Sequence, residues 1–431
     1  MASKDGDSVR QKIISNIFSS GIEKIYIIVI QFITSIILIR LLPREDYGII
    51  GIVVGYFAFV NLINISLESI ILRDHKKLDE NITDVMQNFF MFNFFKSILF
   101  IIVASVLSLV LSNIYENNGF LYAIWSITFI TIADALTTPL IIYFSSKFNQ
   151  KLVTKISILR YTLSLILLSG LFIYPELWYI ALKDFFVSFV FVLGWFFISK
   201  NQLLFTPKFT NINLKFVKET LFSYSLWTHL NGVVTNFIYR SDTFFLSFFV
   251  SLTIVGNYNI ALNSANIANI LPMIIGYQNS VAISNAKDKN QVFKISNHFI
   301  LLSLLIGLVT IIGFYVLGNF YLYIITGQEN NSEIFFYMMC IVTGLVIVKS
   351  FASPLNAYIN IYGKVKNLFL QGMIPILIFT SGIYFFSSYM YGASGIAVAN
   401  ILVSFFWLLI IVYQASKNNY IFSTLLGKNN V

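Results

Sequence analysis

The stretch Ile37–Tyr56, ILIRLLPREDYGIIGIVVGY, ends one apolar run, turns on Pro43 and Gly48, and starts another. Phe248–Asn263, FFVSLTIVGNYNIALN, repeats that plan at Gly256 and Tyr258. Tyr47 and Tyr258 stand close to half of the 431-residue chain apart. Each stretch links the first two apolar segments of its half. A sequence that repeats itself at this scale describes one structural plan built twice. Two apolar bundles so related, with a central cavity between them, are the plan of a transporter.

The composition supports a membrane reading. The chain is 57% hydrophobic and 11% charged, with mean hydropathy +0.79. Soluble domains carry roughly a quarter charged residues, so a polytopic membrane protein is expected. The apolar runs are about 20 residues long, enough to cross hydrocarbon as helices. A membrane β-barrel would show short alternating segments instead. Cys340 is the one cysteine, which excludes an internal disulfide and a cysteine metal cluster. The polar start Met1–Lys12 and the long apolar run after it do not read as a cleavable signal peptide.

The runs predict twelve spans at about 14–41, 47–71, 86–112, 119–144, 156–174, 177–199, 217–249, 254–283, 295–318, 332–362, 367–387 and 393–415. The fold expected is all-α, with two six-helix repeats. The polar linker Lys200–Lys218 divides the chain into bundles at 1–205 and 206–431. Lys and Arg gather in alternate connections: at the N-terminus, around 73–77, 147–160, 200–218, 287–294 and 364–366, and from 417 onward. The other loops hold only Arg40 and Arg44, with Glu116, Glu176, Glu329 and Glu333. Cations stay on the cytoplasmic side, so both termini are placed in the cytoplasm. The net charge of +9 therefore follows topology and does not point to nucleic acid. The outer loops are too short for a catalytic domain.

Charges remain inside the spans: Glu23, Lys24, Glu68, Lys96, Asp134, Lys183, Asp184, Arg240, Asp242 and Lys349. Each is costly in hydrocarbon and should face protein or water. Lys24, Lys96, Arg240 and Lys349 lie on the order of 15–25 Å from their span ends, near the midplane. Cations there suit an anionic headgroup such as a diphosphate, which Arg meets with a planar fork and Lys as a point charge. The bland alternative is helix-bracing ion pairs. Side chains at i and i+1 point apart on a helix, so Glu23–Lys24 and Lys183–Asp184 are expected to seek partners on other helices. Lys183 has the further option of snorkelling to the surface. Glu68, Asp134 and Asp242 are candidates to bind a coupling H⁺ or Na⁺, or to act as counter-ions to the lysines. Asp242 reads more as an interface brace.

Pro139, Pro272, Pro354 and Pro375 fall inside spans and should kink them. The small residues of Tyr391–Asn400, YGASGIAVAN, read as close helix packing. No P-loop and no HExxH pattern occurs, and His75, His229 and His298 are isolated. No cofactor and no metal are implied.

RLLPREDYG at Arg40–Gly48, VGNYNIA at Val255–Ala261 and YGASGIAVA at Tyr391–Ala399, in that order, resemble the polysaccharide-export branch of the MOP superfamily. Among its members the chain looks like a Wzx-type O-antigen flippase. The resemblance covers essentially the whole chain, and Asp242 stands where the family has an acidic residue in its seventh span. It implies a non-enzymatic flippase that moves an undecaprenyl-diphosphate-linked oligosaccharide across the bacterial cytoplasmic membrane by alternating access. Membrane lipids and a glycan polymerase are the partners it suggests. A drug/cation antiporter of the same superfamily would want a more acidic cavity. A membrane glycan polymerase or ligase would want a large outer loop.

Overall fold

A computed structural model describes residues 2–65, 82–147, 149–203, 213, 215, 217–218, 226–269, 272, 275, 279, 282–283, 288–362, 365–418 and 420. Among these residues the ordered elements are all helical. They are α1 (Ala2–Leu41), α2 (Arg44–Val60), α3 (Ile82–Ile114), α4 (Gly119–Ser146), α5 (Gln150–Leu168), α6 (Leu177–Leu203), α7 (Leu226–Leu246), α8 (Leu252–Ala265), α9 (Lys289–Thr326), α10 (Ser332–Tyr362) and α11 (Ile374–Lys417). Helices are what an apolar solvent allows, because each satisfies its own backbone hydrogen bonds. Eight helical stretches are long and apolar enough to cross a membrane, among them Ile82–Ile114, Gly119–Ser146, Lys289–Thr326 and Lys366–Lys417. The chain is a multi-pass membrane protein.

Local signals set the ends. The Asp288 side chain accepts from the Gln291 backbone N–H at 2.7 Å and caps α9. Gly327, at φ 70, closes it in the left-handed region. The apolar run from 366 to 417 holds two rods. Gly392, at φ 59 and ψ −140, breaks α11 at the point where the sequence places a boundary between two spans. The small-residue run there thus includes a backbone break as well as close packing. Pro139 and Pro354 lie inside α4 and α10 as expected. Pro375 lies inside the continuous helical stretch Lys366–Lys417, two residues after a π-helical turn at Phe369–Met373, and both features are recognised causes of helix bending. In the eighth span, α8 ends at Ala265 and tightens into a 3₁₀ turn at Asn266–Asn269, and the described residues 272, 275, 279, 282 and 283 beyond it are again helical.

Packing divides the chain into two compact units. The first comprises Met1–Asp46 and Val60–His229. Its core joins α3, α4, α5 and α6 through Phe89, Ala133, Leu140, Phe144, Val153, Phe191 and Trp195. The Phe144 and Trp195 rings stack at 5.8 Å. The second comprises Tyr47–Phe59 and Leu230–Val431. There α10 packs along α11, α9 and α8, with Tyr258, Tyr358 and Tyr384 fully buried.

Residues 47–59 belong to the second unit because α2 packs there through three glycines. A Cβ on Gly48 would lie 2.2 Å from the Leu252 carbonyl oxygen. One on Gly51 would meet the Asn259 side chain at 2.7 Å, and one on Gly55 the Arg240 carbonyl at 3.1 Å. The two copies of the repeated stretch therefore lie against each other. This corrects the sequence reading of the turns. The chain turns at Leu42–Pro43 and between Leu246 and Leu252, while Gly48, Gly256 and Tyr258 are helical. Gly48→Ala drives a methyl into backbone that cannot rotate away. Overpacking of this kind costs about 1–3 kcal/mol. Thermal melting in detergent should show Gly48→Ala well below wild type, whereas Gly313→Ala, with open space around its Cβ position, should melt like wild type.

Candidate functional site

The first unit separates the two halves of the Glu23–Lys24 pair. Glu23 is buried and accepts from Gln150 Nε2 at 2.9 Å and Thr154 Oγ1 at 3.2 Å, both on α5. Lys24, one residue on, points the other way and is exposed. The i,i+1 argument holds at this position. Tyr26 ties the same helices together through Thr162 Oγ1 at 2.6 Å. Lys96 is buried on α3, donates to the Ile65 carbonyl at 3.2 Å and lies 5.8 Å from the Phe92 ring. Glu68 lies outside the described residues.

Two expectations are overturned in this unit. Lys183 Nζ and Asp184 Oδ1 do pair, at 2.6 Å, with both residues buried. The long lysine stem bends back to its neighbour because no water competes for either charge. Ser126 Oγ on α4 donates to Asp184, and Lys183 Nζ reaches Ser164 Oγ on α5 at 3.4 Å. Lys183 is thus held inside and does not snorkel. Asp134 is a counter-ion, but its partner is Arg160 at 2.6 Å. The Lys/Arg pattern counts Arg160 with the connection at 147–160, whereas it lies in the middle of α5, Gln150–Leu168.

The second unit gathers Arg240, Asp242 and Lys349. Arg240 on α7 donates to Asn263 Oδ1 at 3.4 Å. Asn263 Nδ2 in turn donates to Tyr47 Oη at 2.9 Å, and Asn259 Nδ2 donates to the Tyr47 carbonyl at 3.1 Å. The guanidinium is thereby positioned by α8 and α2, the two copies of the repeat. Lys349 on α10 places Nζ 5.0 Å from the Tyr239 ring, which packs on Trp407. Asp242 is fully buried. Its carboxylate accepts from Tyr258 Oη at 2.9 Å, Asn400 Nδ2 at 3.4 Å and the Thr243 backbone N–H at 2.7 Å. All three donors are neutral. Asn259, Asn263 and Asn400 escaped the sequence reading, although three amides in apolar helical runs are a usable signal for a buried polar network.

A family described as polysaccharide biosynthesis protein matches residues 37–335. The chain belongs to this family. Its fold is that of solved MOP-superfamily structures. Lipid II flippase MurJ, in an inward closed conformation, superposes with a TM-score of 0.67 at 14% identity, covering 94% of this chain and 87% of that one. An inward-facing multidrug resistance MATE family transporter gives 0.64 at 14% identity, with 90% and 94% covered. The Vibrio cholerae MATE transporter VcmN gives 0.53 at 14% identity, with 98% of each chain covered. No curated protein matches the sequence. The expected resemblance to polysaccharide-export members of the MOP superfamily is borne out. For this member of the family, the all-α polytopic fold expected from the sequence is likewise shown.

Proposed function

We propose that the chain is a flippase that carries an undecaprenyl-diphosphate-linked oligosaccharide, such as an O-antigen repeat unit, across the bacterial cytoplasmic membrane. One observation carries the reading beyond family and fold. Lys24 and Lys349 lie in helices long and apolar enough to span, without a carboxylate within salt-bridge distance among the described residues, and Arg240 on α7 forms no salt bridge there although the Asp242 charge acts on it through space. A cation kept in a membrane without a counter-ion needs water or an anionic ligand. A lipid-linked diphosphate supplies that anion, with Lys96 as a further contact. In this reading the substrate moves by alternating access, and both termini are cytoplasmic. The chain acts as a transporter and not as a catalyst. It works beside a glycan polymerase and among membrane lipids, with no nucleic acid, cofactor or metal.

Asp242 is the site we assign to a coupling H⁺ or Na⁺. Its hydrogen-bond donors are neutral and Arg240 acts on it only through space, so a bound cation improves its charge balance. Asp134, with Arg160 beside it, is better balanced and less suited to that task.

The test is deletion of the gene, followed by analysis of lipid-linked intermediates and surface glycan. Complete oligosaccharide held on the inner leaflet, with no surface polymer, is the expected result. Single repeat units still reaching the outer leaflet would point to a polymerase, and unchanged glycan with altered drug sensitivity to an antiporter.

A further inference from the structure

The Asp134–Arg160 pair has a setting unlike that of the other intramembrane charges. Asp134 lies roughly 18–22 Å from either end of α4, and Arg160 roughly 12–15 Å from either end of α5, at 1.5 Å per residue. Yet the Asp134 side chain is 51% exposed and that of Arg160 16%. A half-exposed carboxylate at such depth is too costly against hydrocarbon, so this face of α4 borders water or a polar ligand. Thr131 and Thr138 stand about one turn to either side of Asp134 on the same face. Each donates its own proton to the helix backbone, which leaves the hydroxyl oxygen able to accept.

The pair is held still on its inner side. Arg160 Nη1 donates to Asp134 Oδ1, and the guanidinium carbon lies 4.2 Å from the centre of the Phe191 ring. Phe191 is itself buried in the core of its unit. Ring and carboxylate together fix the plane of the arginine fork. Asp134 Oδ2 accepts no hydrogen bond among the described residues. Of the five N–H groups on an arginine, one is engaged there. A fixed acceptor and fixed donors are thus offered side by side.

We propose that Asp134 and Arg160 form a sugar subsite that holds neighbouring hydroxyls of the oligosaccharide. The proposal rests on the flippase reading above and adds where the glycan is recognised. A sugar hydroxyl both donates and accepts, so a vicinal diol donates to Asp134 Oδ2 while accepting from Arg160. The pair carries no net charge, which suits a neutral polyol. A diphosphate would be repelled by Asp134 and is better served by Lys24, whose neighbour Glu23 turns away from it. Preorganised polar groups of this kind discriminate strongly, because a ligand without the matching hydroxyls leaves them unpaired.

The experiment uses the full chain in proteoliposomes and two probes. One is bare undecaprenyl diphosphate. The other is the lipid-linked oligosaccharide extracted from the deletion strain. Wild type, Asp134→Asn, Arg160→Gln and Arg160→Lys are compared for binding of each lipid, with melting temperature as the check on folding. Asp134→Asn keeps the shape and an oxygen for Arg160 to donate to, so it tests the site even if Arg160→Gln loosens the fold. The expected result is unchanged affinity for the bare lipid and an affinity for the glycosylated lipid lower by about tenfold or more. Equal loss for both lipids, or no loss for either, would overturn the sugar subsite. Failure of wild type to bind either lipid would instead sink the flippase reading, and the subsite with it.

Discussion

Asp184→Ala should melt far below wild type, because it leaves the Lys183 ammonium buried without its carboxylate. Asp184 and Lys183 are 6% and 9% exposed and their charged atoms are 2.6 Å apart. Removing one partner of a buried pair costs about 3–5 kcal/mol, whereas replacing both with apolar residues of similar volume is often neutral. The double variant Lys183→Met with Asp184→Leu should therefore recover most of the loss. The pattern follows from desolvation: the pair gives little net stability, but a lone charge among α4, α5 and α6 has nowhere to go. Ser126 and Ser164 supply single hydrogen bonds that cannot balance a full charge. Thermal melting of the three variants in detergent checks this. Similar melting points for the single and double variants would mean that the cluster acts through packing alone.

Lys24→Gln and Arg240→Gln should each lower glycan export by about 10- to 100-fold at normal protein level. A hydrogen bond to a charged group is worth about 1.5–3 kcal/mol, and 1.4 kcal/mol is a factor of ten. Lys24→Arg keeps the positive charge at an exposed position and should retain most export. Arg240→Lys should not, because a point charge cannot both reach Asn263 and present a planar fork to a phosphate. Surface glycan, normalised to immunoblotted protein, is the measurement. Normal export by both glutamine variants would remove the anionic-headgroup role from these residues.

The contrast between the two adjacent charge pairs shows how far a one-dimensional rule reaches. Glu23 and Lys24 diverge as i,i+1 side chains should, since α5 offers Glu23 two neutral donors. Lys183 and Asp184 obey the same geometry at Cβ, yet they pair because both are buried and a lysine stem is long enough to fold back. Local periodicity is identical in the two cases, and only the surroundings differ. Arg160 teaches the same point about depth. Clustered with Lys147, Lys151 and Lys155, it reads as a loop cation, whereas α5 begins at Gln150 and carries it well into the helix.

The sequence by itself determined the all-helical membrane fold, the boundary between two spans near residue 392, and the intramembrane charges worth watching. Those follow from apolar run length and from the cost of charge in hydrocarbon, which are properties of short stretches. Its resemblance to polysaccharide-export proteins was also legible in three short motifs. The tertiary structure alone decided that Gly48 is a packing contact and not a turn, because a helix and a turn can both use glycine and only the neighbouring backbone of α8 tells them apart. It also decided which charges find partners, since Arg160 meets Asp134 and Asp242 meets Tyr258 and Asn400 across distances in sequence that no local pattern encodes.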